Sequence, residues 1–258
     1  MITSLQNDRV KLVRALQSSG RSRRKENRVV LEGVRLVGDA FAAGTIPDFL
    51  FYTQDITAES QRLLAMLQER HIPYLEVSAE VMTHMADTQT PQGILAVVAL
   101  PELEIPKLIN IALILDGVAD PGNLGTILRT AAAASVDGVF LAPGCVDPFN
   151  PKVLRSGMGA HFRLPIVRLN WNDISQRLGK LPIYLADADG DKRYHEVDWT
   201  QPSALIIGGE ARGAEMEARQ RANAIISIPM GNAAESLNAA VATGVILFEM
   251  RRQRESSS

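Results

Sequence analysis

From Ile111 onward the chain alternates apolar runs of strand length with segments of helical period, and this alternation constrains its fold more than any other feature. The runs IALILDGV, GVFLA, PIYLADA, SALIIGG and AIISIP read as strands. LGTILRTAAAA, GAEMEARQRA and the long SLNAAVATGVILFEMRRQR read as helices. Strands that alternate with helices imply an α/β fold with a mainly parallel sheet covered on both faces. In such sheets ligands bind beyond the carboxyl ends of the strands. Three loops with unusual polar content leave those ends: ADPGN after the first strand, GGEARG after the fourth and MGNAAE after the fifth.

The first hundred residues read as a smaller α/β unit. NDRVKLVRALQSS is helical, with Val10, Val13 and Leu16 on one face. VVLEG, DFLFYT and GILAVVAL are strands, and VRLVGDAFAAG, closed by Gly44, and AESQRLLAMLQERH are helices. LPELEIPKLIN, with Pro101 and Pro106 between apolar runs, reads as a linker. The expected organisation is a first domain at 1–100, a linker at 101–109 and a second domain at 110–258. A chain of 258 residues with 46% hydrophobic content can bury cores of that size. The biased tail ESSS is expected to fray.

Several function classes are disfavoured at this level. Cys145 is the single cysteine, so no intramolecular disulfide framework or cysteine-based zinc site is available, which suits a reducing compartment such as the cytoplasm. No apolar run reaches the roughly 18 residues of a membrane span, and MITSLQNDRVKL lacks the apolar core of a secretion signal, so a soluble, unprocessed chain is expected. The formal net charge of -2 argues against a surface coated in positive potential. A local patch remains in RSRRKENR, where Arg21, Arg23, Arg24, Lys25 and Arg28 form either a solvated loop or a nucleic-acid contact. His71, His84, His161 and His195 show no metal-ligand spacing. DADGD begins like a calcium loop, but its twelfth position is Asp198 and not the bidentate glutamate, so it reads as a turn.

The stretch DGVADPGNLGTILRTAAAASVDGVFLA has the outline of a nucleotide-binding unit. Its glycines, Gly117, Gly122 and Gly125, do not follow G-x-G-x-x-G, no acidic residue follows GVFLA, and no Gly-Lys-Ser/Thr makes a P-loop. Asn123 could cap a helix beginning at Leu124, and Ser236 could cap the last helix. Arg129 offers a planar fork of donors for a phosphate or carboxylate, which Glu210 could orient, and Ser236 and Asn238 add donors and acceptors at the neighbouring turn. Individually these are ordinary loop residues. Jointly they place complementary polar groups at three successive strand exits facing one crevice.

These residues carry a resemblance. NLGTILR at 123–129, IIGGEARG at 206–213 and IPMGNAAESLNAAVA at 228–242 resemble the three ordered motifs of the SpoU/TrmH methyltransferases of the SPOUT superfamily. The resemblance spans Ile111 to the C-terminus, and the first unit is similar to the L30e-like substrate-binding domain that many members carry after a short basic helical extension. It implies an RNA 2'-O-methyltransferase that uses S-adenosylmethionine and no metal, a deep C-terminal trefoil knot, and a homodimer with cofactor sites close to the interface. It also implies that Arg129 handles the ribose hydroxyl and that Glu210 and Ser236 hold its guanidinium. Asn123 would position the ribose or Arg129, and Asn238 would bond within the site. Gly208, Gly209, Ile228, Met230 and Leu237 would hold the cofactor. The resemblance has Arg129 acting as or with the general base; because a free arginine is a poor base near neutrality, the alternative is a charge that stabilises the alkoxide while phosphate or water takes the proton.

Lys152 and Arg155, in NPKVLRS at 150–156, are expected near the same crevice as RNA phosphate contacts, against the plainer reading of a solvated helix start. The expected substrate is structured RNA, ribosomal in preference to transfer RNA because members with the appended domain often act there. A second function class is a non-catalytic RNA-binding protein on the same fold, and a nicotinamide enzyme is a distant third. The joint presence of Asn123, Arg129, Glu210, Ser236 and Asn238 speaks against a pure binder, which needs none of them.

Overall fold

The structure, a computed structural model, describes residues 1–210, 213–231 and 236–256. The chain separates into two compact units. One comprises Met1–Glu102 with Phe149–Phe162, the other Leu103–Pro148 with Arg163–Ser258.

In the first unit, helix α1 (Asp8–Ser18) starts where the Asn7 side chain accepts the Arg9 amide, and it buries Val10, Val13 and Leu16 as their spacing demands. The basic segment falls in helix α2 (Gly20–Glu26), a helical extension and not a loop, capped by Ser19 and ended by Asn27 in the left-handed conformation. Strand β1 (Arg28–Glu32), helix α3 (Val34–Ala42), strand β2 (Phe49–Tyr52) and helix α4 (Ala58–Glu69) follow. Strand β3 (Tyr74–Glu76), helix α5 (Ala79–Met85) and strand β4 (Ile94–Ala99) complete the run. The sheet order is β1-β4-β2-β3, with β4 antiparallel to both its neighbours and β3 parallel to β2. Alternate strand residues point to opposite faces. Leu31, Leu50 and Ala96 join the core under α3 and α4, while Val30, Phe51 and Val97 join the one under α1 and α5.

The second unit opens with strand β5 (Ile111–Asp116), every residue of which is buried, followed by helix α6 (Pro121–Ala133) and strand β6 (Gly138–Leu141). Helix α7 (Pro151–Gly157) belongs to the first unit, where Leu154 and Phe162 join the α3–α4 core, so the expected uninterrupted second domain is broken at 149–162. The second unit resumes with strand β7 (Ile166–Arg168), helix α8 (Trp171–Leu178), strands β8 (Ile183–Ala186), β9 (Lys192–Arg193) and β10 (Ser203–Gly208), helix α9 (Met216–Arg221), strand β11 (Ala224–Ser227) and helix α10 (Ala239–Glu255). The order is β7-β6-β5-β10-β8-β11-β9, and each described pairing is parallel.

Both faces of this sheet are covered. Ala112, Ile114, Phe140, Ile206 and Leu185 pack with Trp171 and Ile174 of α8 and Ala218 of α9. Helices α6 and α10 pack together, and α10 reaches β10. At this contact a Cβ added at Gly244 would meet Thr130 of α6 at ordinary van der Waals distance. Arg251 then donates to the Ala133 carbonyl at 2.7 Å, satisfying an orphan acceptor at the end of α6. The chain turns outward from β5 to β6 and β7, then restarts beyond β10. The β5–β10 boundary is therefore the switch point, and the carboxyl ends near it are where the fold opens a ligand site.

Candidate active site

Beyond the ends of β8, β10 and β11 lies a cleft of about 450 Å3. Its apolar walls include Ala186, Ile226, Ile228, Met230, Leu237 and Ala242, and its polar edge carries Asp187, Glu210, Ser236 and Asn238. Gly208 and Gly209 form its floor. A Cβ on Gly208 would collide with the backbone of Gly213 and Ala214, and one on Gly209 with the Gly117 carbonyl. The backbone alone fits there, and Gly213, with φ +64°, bonds its amide to the Gly209 carbonyl at 3.0 Å to close the loop. All five residues expected to hold a cofactor line this cleft.

Asn123 does not cap α6. Asp120 does, accepting the Asn123 amide at 2.8 Å with Pro121 at the first helical position, a pairing suited to a helix start. Asn123 thus lies inside the first turn with its side chain free to act elsewhere. Its Nδ2 donates to Glu210 Oε1 at 2.6 Å, and its Oδ1 accepts from Asn238 Nδ2 at 3.0 Å. Asn238, and not Ser236, caps α10, its Oδ1 accepting the amides of Ala240 and Val241 at 2.9 and 3.3 Å. The polarity of this relay is fixed at both ends. Helix amides can only donate and the Glu210 carboxylate accepts, so each asparagine has one permitted orientation. The relay joins residues 87 and 115 positions apart in sequence.

The structure therefore pairs Glu210 with Asn123 and not with Arg129. Arg129 lies on the exposed face of α6 with Thr126 and Ala133, outside the lining of the cleft, and has no ion pair with another described residue. Six helical positions rotate it by about 240° from Asn123. Ser236 is exposed at the cleft edge. Residues 211–212 of the second motif and 232–235 of the third lie outside the described residues.

Two acidic residues around the cleft escaped the sequence reading. Asp116, at the end of β5, is 1% exposed. Burial pushes its carboxyl above the usual range, although the Glu215 amide, donating to Oδ2 at 2.7 Å, offsets part of that cost. This bond ties the loop after Gly213 to the sheet. Asp187 of DADGD directly follows β8, lines the cleft and is paired with Arg219 of α9. An acidic residue interrupting the carboxyl end of an otherwise apolar predicted strand, as in IALILDGV and PIYLADA, was the available signal.

Of the expected RNA contacts, Arg21, Arg24 and Lys25 are exposed on α2. Arg23 is 4% exposed and donates to the Leu16 and Gln17 carbonyls at 2.6 and 3.3 Å, so it closes the end of α1 and is a structural residue. Arg28 lies in β1 and pairs with Asp48 at 2.6 Å. Lys152 and Arg155 lie on α7, which groups with the first unit and packs on β1. Arg155 is 2.7 Å from Asp87. Among the described residues no group of three or more His, Cys, Asp and Glu could hold a metal ion.

Three sequence-distant segments thus meet at an apolar, glycine-floored cleft over a parallel sheet. Over residues 110–248 the sequence matches the SpoU rRNA Methylase family, and over residues 7–96 the MRM3-like substrate binding domain. The chain belongs to the SpoU rRNA methylase family. Among SpoU relatives, the mitochondrial rRNA methyltransferase 3A of Danio rerio is 38% identical over 96% of this chain and 69% of its own length. The 23S rRNA (guanosine(2553)-2'-O)-methyltransferase RlmP of Bacillus subtilis is 32% identical over 97% of this chain and 98% of its own. Among solved structures, the AdoMet-bound rRNA methyltransferase from Sinorhizobium meliloti superposes with a TM-score of 0.85 at 32% identity, covering 97% of each chain. The SpoU methyltransferase AviRb from Streptomyces viridochromogenes, in complex with AdoMet, gives 0.86 at 28% identity, covering 97% of this chain and 99% of its own.

Proposed function

We propose that this protein transfers the methyl group of S-adenosylmethionine to a ribose 2'-hydroxyl of structured RNA, ribosomal in preference to transfer RNA. The observation that carries this reading is the Glu210–Asn123–Asn238 relay at the mouth of the 450 Å3 cleft. The cleft lies within the 300–1,000 Å3 of small-ligand sites, and its apolar walls over a bare backbone floor suit an adenine ring that needs packing and amide partners. Gly208, Gly209, Ile228, Met230 and Leu237 would hold the cofactor. When bound, it supplies a methyl group already activated by a positively charged sulfur. The relatives' names and the AdoMet-bound neighbours support the same chemistry.

The chain's own task is then to seat the ribose and stabilise its developing alkoxide. Asn123, held at both ends, positions the sugar. Arg129 supplies the positive charge that stabilises the alkoxide, and the hydroxyl proton passes to an RNA phosphate or water. A homodimer gives Arg129 its place. Val241 and Phe248 on α10 are 51% and 49% exposed, and α6 presents Arg129 beside this helix. Pairing these faces buries the apolar stripe and offers Arg129 of one copy to the cleft of the other. In this reading the C-terminal segment is threaded into the trefoil knot of the SPOUT superfamily. The first unit is the L30e-like RNA-binding domain, with Arg21, Arg24 and Lys25 on its basic extension. The lone buried Cys145 supports a reducing, cytoplasmic setting.

The test compares wild type with Arg129→Ala in methyl transfer to ribosomal RNA and in binding of S-adenosylmethionine and NAD. Transfer is expected to be abolished while cofactor affinity stays within a few-fold. A wild-type chain that binds RNA but no cofactor would instead be the non-catalytic binder, and binding of NAD alone would overturn the proposal. Mapping 2'-O-methylation in cells with and without the gene identifies the RNA.

A further inference from the structure

We propose that Asp187 reads the ribose hydroxyls of the nucleoside ligand in the cleft. The inference rests on the cofactor reading above and assigns a role to the DADGD turn that the family motifs do not touch. Asp187 stands at the carboxyl end of β8, and its backbone amide donates to the Ile226 carbonyl at 2.9 Å. The turn behind it is packed tightly, since a Cβ on Gly190 would run into the backbone of Ile226 and Ser227. The Ser227 hydroxyl donates to the Gly190 carbonyl at 2.8 Å. The carboxylate is therefore fixed against the sheet. Across the cleft it faces the closing loop, its Oδ2 lying 3.9 Å from where a Cβ on Gly213 would stand.

Two carboxylates line this cleft, and Glu210 is committed to Asn123. Asp187 is committed differently. Its Oδ1 accepts the Asp189 amide at 3.2 Å, and its Oδ2 pairs with Arg219, while its side chain remains 14% exposed. Each carboxylate oxygen can accept twice, so each keeps one acceptor position. Arg219 neutralises the charge, which removes the reason to attract a cation and leaves a strong acceptor for neutral donors. Two adjacent free acceptor positions match two adjacent hydroxyls. A purine amino group, with both hydrogens on one nitrogen, fits them less well.

The experiment measures calorimetric binding of S-adenosylhomocysteine and of its counterpart lacking both ribose hydroxyls. Wild type is expected to prefer the former by about ten- to a hundredfold, the range of hydrogen bonds to a charged group. Asp187→Ala should lose that preference by weakening S-adenosylhomocysteine binding and leaving the dideoxy counterpart unchanged. If the alanine variant fails to fold by thermal melting, Asp187→Asn decides the matter by the same ratio, expected to be reduced to a few-fold. A variant that keeps the wild-type preference, or that loses discrimination against a ligand lacking the purine amino group, overturns the inference alone. Failure of the wild-type chain to bind S-adenosylhomocysteine overturns the methyltransferase reading along with it.

Discussion

Asn123 uses both ends of one amide to join two motifs, and alanine there removes both bonds while leaving the Asp120 cap intact. Single-turnover methyl transfer by Asn123→Ala is expected to fall about a hundredfold, as for loss of one oriented donor in an active site, with cofactor affinity within a few-fold. Asp116 makes a different prediction. Burial raises its folded carboxyl pKa, so the stability it allows is fully present below the unfolded value and is lost as pH rises through the folded one. Asp116→Asn keeps an acceptor for the Glu215 amide without the charge. It should raise the denaturant midpoint at neutral pH, and the gain should vanish in acid. At this scale the sequence named the relay's members but not its pairing. Donor and acceptor directions depend on which residue caps each helix, and Asp120-Pro121, not Asn123, is the start signal of α6.

Helix α10 illustrates what periodicity can and cannot carry. Its length and place after the third motif were readable, whereas its anchoring at the far end was not. There Glu249 accepts from Arg252 and from Gln253 at 2.8 Å, and the Gln253 side-chain Oε1 accepts the Trp199 amide at 2.9 Å. The Arg252 hydrogen bonds, aided by Gln253 and opposed by partial burial, hold Glu249 down from 4.5 to about 2. A depressed folded pKa contributes stability above the unfolded value and loses it as pH falls through the folded one. Glu249→Gln should therefore cost on the order of 1 kcal/mol near neutrality, and the gap in chemical denaturation should close between pH 4.5 and about 2. Shorter elements were hidden for a simple reason. Strands β3 and β7 have three residues each, too few for a period of two to declare itself, and α2 carries charges where an apolar face would mark a helix.

For the whole molecule, the parallel sheet was legible because strands buried on both faces write long apolar runs such as IALILD, whereas strand order was not, since crossovers leave no local mark. The proposed dimer makes the assembly testable by complementation. Arg129→Ala, and Ala188→Trp, which plugs the cleft from an exposed lining position, should each be inactive alone. Mixed subunits should regain transfer, because one composite cleft per heterodimer is intact, and no recovery would place Arg129 at its own subunit's site. The return of residues 149–162 to the first unit has a consequence for inheritance. A recombination event at the proline-bearing linker would exchange the second unit together with Leu154 and Phe162, which complete the other unit's core. Such an exchange leaves the first unit's core to be completed by whatever side chains the incoming segment carries at positions 154 and 162.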